Sequence, residues 1–227
     1  DVKPGEVVSL SNSALKVMQA VKPVTPTAMC IFEHIYFARP DQVWDGINVH
    51  HARQRLGEEL AREVLNGFST DARILSTDAS QADARIKTDG ERMADVVIPV
   101  PDSSIPAAVG FSRVSGIPYN DGFIKNRYVG RTFIEPTDSL RKRGVALKFN
   151  VINENVRDKR VVVIDDSIVR GNTTGPLIKL LRNAGAKEVH MAITCPPIAH
   201  PCFMGVDMGR HQDLIAYKRT VDEIREH

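Results

Sequence analysis

The chain has only three cysteines in 227 residues, Cys30, Cys195 and Cys202. That number is too small and odd for a disulfide framework, so they read as reduced thiols or ligands. No apolar run approaches the roughly 20 residues needed to cross a bilayer. The opening "DVKPGEVV" lacks a basic region followed by an apolar stretch, which excludes a signal peptide and leads us to expect a cytoplasmic protein. A first residue of Asp rather than Met suggests a processed product or a piece of a longer chain. Charge is not in excess either: the formal net charge of +2 gives no argument for nucleic acid, and any anion site must come from a local cluster. Internal repeats and linkers rich in Pro, Gly or Ser are missing. So are the Gly-x-Gly-x-x-Gly of dinucleotide folds and the Gly-Lys-Ser/Thr of P-loops. What is present, 42% apolar and 26% charged residues, is the composition of a globular domain.

Two stretches carry the pattern of βαβ units. "KRVVVI" is a short, continuous, β-branched run of the kind buried in parallel sheets. "GPLIKLLRNAGA" then puts Leu177, Ile178, Leu180 and Leu181 on one helical side and ends at Gly185, and "KEVHMAITC" supplies the next strand. Upstream, "ADVVIPV" reads as a strand, "PDSS" as a turn and "IPAAVGFSRVSG" as a helix closed by Gly116, with "NDGFIKN" leading to a further strand. The expected fold is α/β: a doubly wound, mostly parallel sheet flanked by helices. Residues 50–66, with charges around an Ala/Leu stripe, read as a surface helix. Residues 67–92 are polar and aperiodic, and read as a surface loop or insertion.

The segment "VVVIDDSIVRGNTTG" ends a buried strand in Asp165 and Asp166, where open parallel sheets bind ligands. A carboxylate there can accept hydrogen bonds from sugar hydroxyls or hold Mg²⁺. Gly171 allows close backbone approach, and Ser167, Thr173 and Thr174 bring hydroxyls beside a helix N-terminus, a site for phosphate. A ligand with a diol at one end and a phosphate at the other fits both parts, as a phosphorylated ribose does. The plainer reading of a lone Asp after a strand is a helix cap or turn residue. For Ser103, too, a helix cap is the plainer role. Basic residues between Lys125 and Lys148 are usually a solvated face.

This segment resembles the phosphoribosyl pyrophosphate (PRPP) motif of type I phosphoribosyltransferases. "MCIFEHIYFARPDQVWDGINVHHAR", "VPDSSIPAAVGF", "GFIKNRYVGRTFIEP" and "CPPIAHPCFMGVDM" narrow the resemblance to the glutamine PRPP amidotransferase family. The resemblance implies transfer of an amino group from ammonia to PRPP, giving 5-phosphoribosylamine and pyrophosphate, at the start of purine synthesis. A PRPP-binding module or regulator without catalysis is the alternative. PRPP contacts carry over to Asp102, Ser103, Ser104, Asp165, Asp166, Ser167, Arg170, Gly171, Asn172, Thr173 and Thr174. Mg²⁺ falls to Ser103, Asp165 and Asp166, and Lys125, Arg127, Tyr128 and Arg131 match a catalytic loop that closes over pyrophosphate. The opening residues 1–22 resemble the end of the family's glutaminase domain, which leaves 23–227 as the transferase domain and ammonia, free or from a separate glutaminase, as the amine source. Cys30 and Cys202 match positions that ligate a [4Fe-4S] cluster in many members, although two thiolates are half of what such clusters take. "CPPIAHPC", with Cys195 and His200, suits zinc on paper, but free thiols are the plainer reading. Homo-oligomers, and purine nucleotides as feedback inhibitors, are further implications; membrane and nucleic-acid partners are not.

Overall fold

The computed structural model describes residues 2–24, 28–65, 74–76, 94–126, 148–206 and 208–226. They fall into two compact units, 1–31 and 32–227. The first is a hairpin of β1 (Glu6–Ser11) and β2 (Ala14–Gln19), paired antiparallel from Glu6↔Gln19 to Ser11↔Ala14.

The second unit opens with a wide helical turn at Glu33–Phe37 and a small hairpin of β3 (Val43–Trp44) and β4 (Ile47–Asn48). Helix α1 (Val49–Leu65) follows. The central sheet contains β5 (Ile74–Ser76), β6 (Val96–Pro99), β9 (Arg160–Asp165) and β10 (Glu188–Ile193) in the order β5-β10-β9-β6. The last three are parallel, as their continuous apolar runs require. Helix α2 (Ile105–Ser115) follows β6, and α3 (Thr174–Asn183) connects β9 to β10. A last short helix, α4, is Val221–Glu226.

Alternation along β9 divides the core. Val161 and Val163 join Leu177 and Leu181 of α3 on one face, while Val162 and Ile164 join Leu60, Ala107 and Phe111 of α1 and α2 on the other. Helices therefore cover both faces, as expected for a doubly wound sheet. The two helices on the second face cross at glycines: a Cβ on Gly57 would lie 1.9 Å from the Ala107 carbonyl oxygen, and one on Gly110 2.0 Å from that of Gln54. Gly116 and Gly185 take φ of 70° and 91° just past α2 and α3, at the two helix ends read from the sequence.

Three expectations change. Ile74–Ser76, within the stretch read as a surface loop, pairs antiparallel with β10, because that strand's outer ladder is open to any extended segment. The rest of 67–92 lies outside the described residues. The strand from "NDGFIKN" is β7 (Phe123–Lys125), but it pairs with β8 (Phe149–Val151) in a separate ribbon. It is residues 118–120 that meet β6, with Val97 N donating to Pro118 O at 2.8 Å and Asn120 N to Val97 O at 3.0 Å. Finally, α1 is not simply a surface helix, since Val49, Arg53, Gly57, Leu60, Ala61 and Val64 are buried. No helix among the described residues is long and apolar enough to cross a membrane.

Candidate active site

The carboxyl ends of β6 and β9 lie side by side, with Pro99 paired to Ile164. Beyond them the backbone stays tied: Val100 N donates to Ile164 O at 2.9 Å, Thr194 N to Asp165 O at 3.1 Å, and Cys195 N to Asp166 O at 3.0 Å. These bonds fix the main chain of the acidic pair from the β10 side and that of Ile164, just before it, from the β6 side. Asp165 and Asp166 are themselves buried.

The turn after β6 supplies the hydroxyls that meet them. Ser103 Oγ donates to Asp166 Oδ2 at 2.5 Å, and Ser104 Oγ to Asp165 Oδ1 at 3.3 Å. Ser104 occupies the N-cap position of α2, yet its side chain makes no capping bond; the hydroxyl is spent on the carboxylate instead. Ser103, for which a helix cap was the plainer reading, lies one residue before that position and bonds Asp166. Asp166 N also donates to Asp165 Oδ1 at 2.9 Å, and Ser167 Oγ to Asp166 Oδ1 at 2.6 Å. In the same turn Asp102 pairs with Lys125 Nζ at 2.5 Å, so the end of β7 reaches the site as well.

Burial holds both carboxyls above the usual carboxylate range. For Asp165 the neighbouring Asp166 charge adds to the effect, whereas for Asp166 the Ser103 and Ser167 hydroxyls and the Arg53 charge oppose it. A pair of buried, hard oxygen donors under this strain suits a divalent cation. Mg²⁺ is held by one or two carboxylates and completes its shell with water and phosphate oxygens. Among the described residues no group of three His, Cys, Asp or Glu side chains forms a closed metal cage.

The loop 167–174 runs from Asp166 into α3. Gly171 sits at φ 75°, a conformation that disfavours other residues. Thr173 is at the N-cap of α3 but makes no side-chain capping bond, so the first amides of this helix are left to other partners. Amides and helix dipole together favour an anion there.

Residues 73–204 match the family profile described as the phosphoribosyl transferase domain. The chain belongs to that family. The chain is 49% identical over 225 residues to the amidophosphoribosyltransferase of Methanothermobacter thermautotrophicus, covering 99% of the chain and 42% of that protein. Against the amidophosphoribosyltransferase of Archaeoglobus fulgidus the figures are 47% over 224 residues, 99% and 43%. It also resembles the solved glutamine PRPP amidotransferase from B. subtilis complexed with ADP and GMP, with a TM-score of 0.72 and 45% identity, over 99% of this chain and 44% of that one. The chain thus spans under half the length of the relatives it matches.

The phosphoribosyl transferase domain brings Asp102, Ser103, Ser104, Lys125, Asp165, Asp166 and Ser167 together, while Arg127, Tyr128 and Arg131 lie outside the described residues. Of the cysteines, Cys195 is buried in the core, Cys30 is exposed in the first unit and Cys202 is half-buried in the second.

Two residues escaped the sequence reading. Arg53, 3% exposed, donates from Nε to His34 O at 2.8 Å and from Nη2 to Ala38 O at 2.9 Å, and its charge acts on Asp166. The signal was available, because Arg53 shares the helical stripe of Val49, Gly57, Leu60 and Val64. Thr194, whose Oγ1 donates to Asp166 O at 3.3 Å, carried no such signal.

Proposed function

We propose that this chain binds PRPP and transfers its phosphoribosyl group to ammonia, giving 5-phosphoribosylamine and pyrophosphate, the reaction that opens purine synthesis. The observation that carries the reading is the union of two loops: Ser103 and Ser104 after β6 hydrogen-bond Asp166 and Asp165 at the end of β9. That union joins a diol-binding acid pair to a second loop able to hold the other phosphates. The names of the relatives support the same choice of reaction.

In this reading Asp165 and Asp166 accept hydrogen bonds from the ribose hydroxyls. The amides of 167–174, with Arg170, Gly171, Asn172, Thr173 and Thr174, hold the 5′-phosphate, and the turn Asp102, Ser103, Ser104 receives the pyrophosphate. Ser103, Asp165 and Asp166 would hold Mg²⁺, which when bound supplies positive charge against the departing pyrophosphate. Ammonia attacks the anomeric carbon with its lone pair as the carbon–oxygen bond breaks, and pyrophosphate leaves with that electron pair. The amine then sheds a proton. Positive charge grows on the sugar and negative charge on the leaving group, so the chain contributes by positioning and by electrostatics. Lys125, Arg127 and Arg131 neutralise the pyrophosphate and, with Tyr128, enclose it, which also excludes water. No side-chain nucleophile is needed.

Cytoplasmic location, a homo-oligomer, and ammonia from a glutaminase domain or free solution belong to the same proposal. Purine nucleotides as further ligands are supported by the ADP and GMP named for the B. subtilis relative.

The decisive measurement is pyrophosphate release from PRPP with Mg²⁺ and ammonium at alkaline pH. Release above background, lost together with PRPP binding in Asp165→Asn/Asp166→Asn, supports the assignment. PRPP binding without turnover would favour a binding module, and no PRPP binding would sink both readings.

A further inference from the structure

The phosphate-binding loop owes its shape to residues far outside its own motif. Ile215 N donates to Val169 O at 2.8 Å, which ties the middle of the loop to a distant segment. The same residue fills the space beside Gly171: a Cβ there would come within 2.8 Å of Ile215 Cδ1. Asp213 receives both Arg210 Nε and Nη2 at 3.1 Å and lies 3.9 Å from Arg170 Nη2, so it sits between a residue of the loop and one of its own segment. Leu214, Ile215 and Ala216 are all buried, which makes the segment a firm support rather than a passing strand of surface chain.

We propose that Ile215 and Asp213 are positioning residues that clamp the 167–174 loop in its anion-receiving conformation. The functional part of this proposal rests on the reading of that loop as the 5′-phosphate site. A loop with a left-handed glycine at its centre has many conformations open to it, and its amides converge on a phosphate in few of them. Ile215 acts on the backbone by one hydrogen bond and by steric support. Asp213 acts on Arg170 by charge. Neither is assigned a contact with the ligand, so their effect should fall on binding rather than on the bond-breaking step.

The test uses the 227-residue chain as Ile215→Ala, with the milder Ile215→Val should the first not fold, and Asp213→Asn beside Asp213→Glu. Amide hydrogen exchange is followed across 167–174 without ligand, ribose 5-phosphate binding by calorimetry, and PRPP turnover by initial rates. We expect about tenfold faster exchange in the loop with β9 unchanged, and about tenfold weaker ribose 5-phosphate binding. KM for PRPP should rise with kcat held within about twofold, and Asp213→Glu should recover most of what Asp213→Asn loses. Unchanged loop exchange, or faster exchange with unaltered affinity, overturns the clamp. If the unsubstituted chain fails to bind ribose 5-phosphate, the phosphate-site reading and the functional part of the proposal fall, while exchange still decides whether the two residues hold the loop.

Discussion

Ser103 and Asp166, on loops that follow different strands of the sheet, meet hydroxyl to carboxylate at 2.5 Å. The bond is charge-assisted, so removing the hydroxyl leaves a buried carboxylate short of a donor. Hydrogen bonds of this class contribute about 1.5–3 kcal/mol. Ser103→Ala should weaken PRPP binding by about tenfold or more, read by calorimetry in the presence of Mg²⁺. An unchanged affinity would show that the two loops act independently.

Asp165 tests the opposite side of the same arrangement. Its charge is buried next to that of Asp166, a costly situation in an unliganded chain. Asn keeps the Oδ1 acceptor that Ser104 and the Asp166 amide use, and removes the charge. Asp165→Asn should therefore stabilise the unliganded chain by about 1–2 kcal/mol, read as a higher denaturation midpoint, while abolishing PRPP binding. A destabilised variant would mean that the carboxylate is better compensated than its burial implies.

Asp95 supplies the pH dependence. It accepts from the Arg160 backbone N–H at 2.8 Å and pairs with that residue's guanidinium at 3.0 Å, which holds its carboxyl below the usual range. A carboxyl lowered in the folded state adds stability above its unfolded pKa and loses it as pH falls through the folded one. Asp95→Asn should cost under about 1 kcal/mol at neutral pH, because the pair is part-exposed and screened. Urea midpoints of the two proteins should converge as the medium is acidified below the ordinary carboxylate pKa. A gap that stays constant well below that range would assign the effect to packing.

The crossing of α1 and α2 allows no added methyl. At Gly57 the new carbon would sit 1.9 Å from the Ala107 carbonyl oxygen, so the helices must separate. Gly57→Ala should lower stability by about 3 kcal/mol, despite the higher helix propensity of alanine. Thermal unfolding of the unliganded chain checks this, and a neutral or stabilising result would mean that the helices slide apart freely.

Much of this fold can be read from short stretches. The three valines of β9 announce a strand buried on both faces, and Gly116 and Gly185 stop the helices before them. Asp165 and Asp166 were legible because two charges at the end of such a strand need a chemical reason. Arg53 was harder, since an arginine on a charged helix looks solvated until its stripe is compared with Val49 and Leu60. Ile215 and Thr194 were invisible: each meets the site through a partner distant in sequence, and nothing local distinguishes them from ordinary core residues. The strand Ile74–Ser76 was hidden for the same reason, because three residues become a strand only when a neighbouring ladder accepts them.

That small strand has a colloidal consequence. Among the described residues it pairs with His190, Met191 and Ala192 of β10, and the backbone of 118–120 pairs with Val97 of β6, so the described flanks of the central sheet end in short pieces rather than long strands. An uncovered flank is a template on which copies of a chain stack into aggregates. A flank three residues long offers a second copy few ladder bonds, which weakens it as such a template, a property quite separate from anything the loops at the strand ends do.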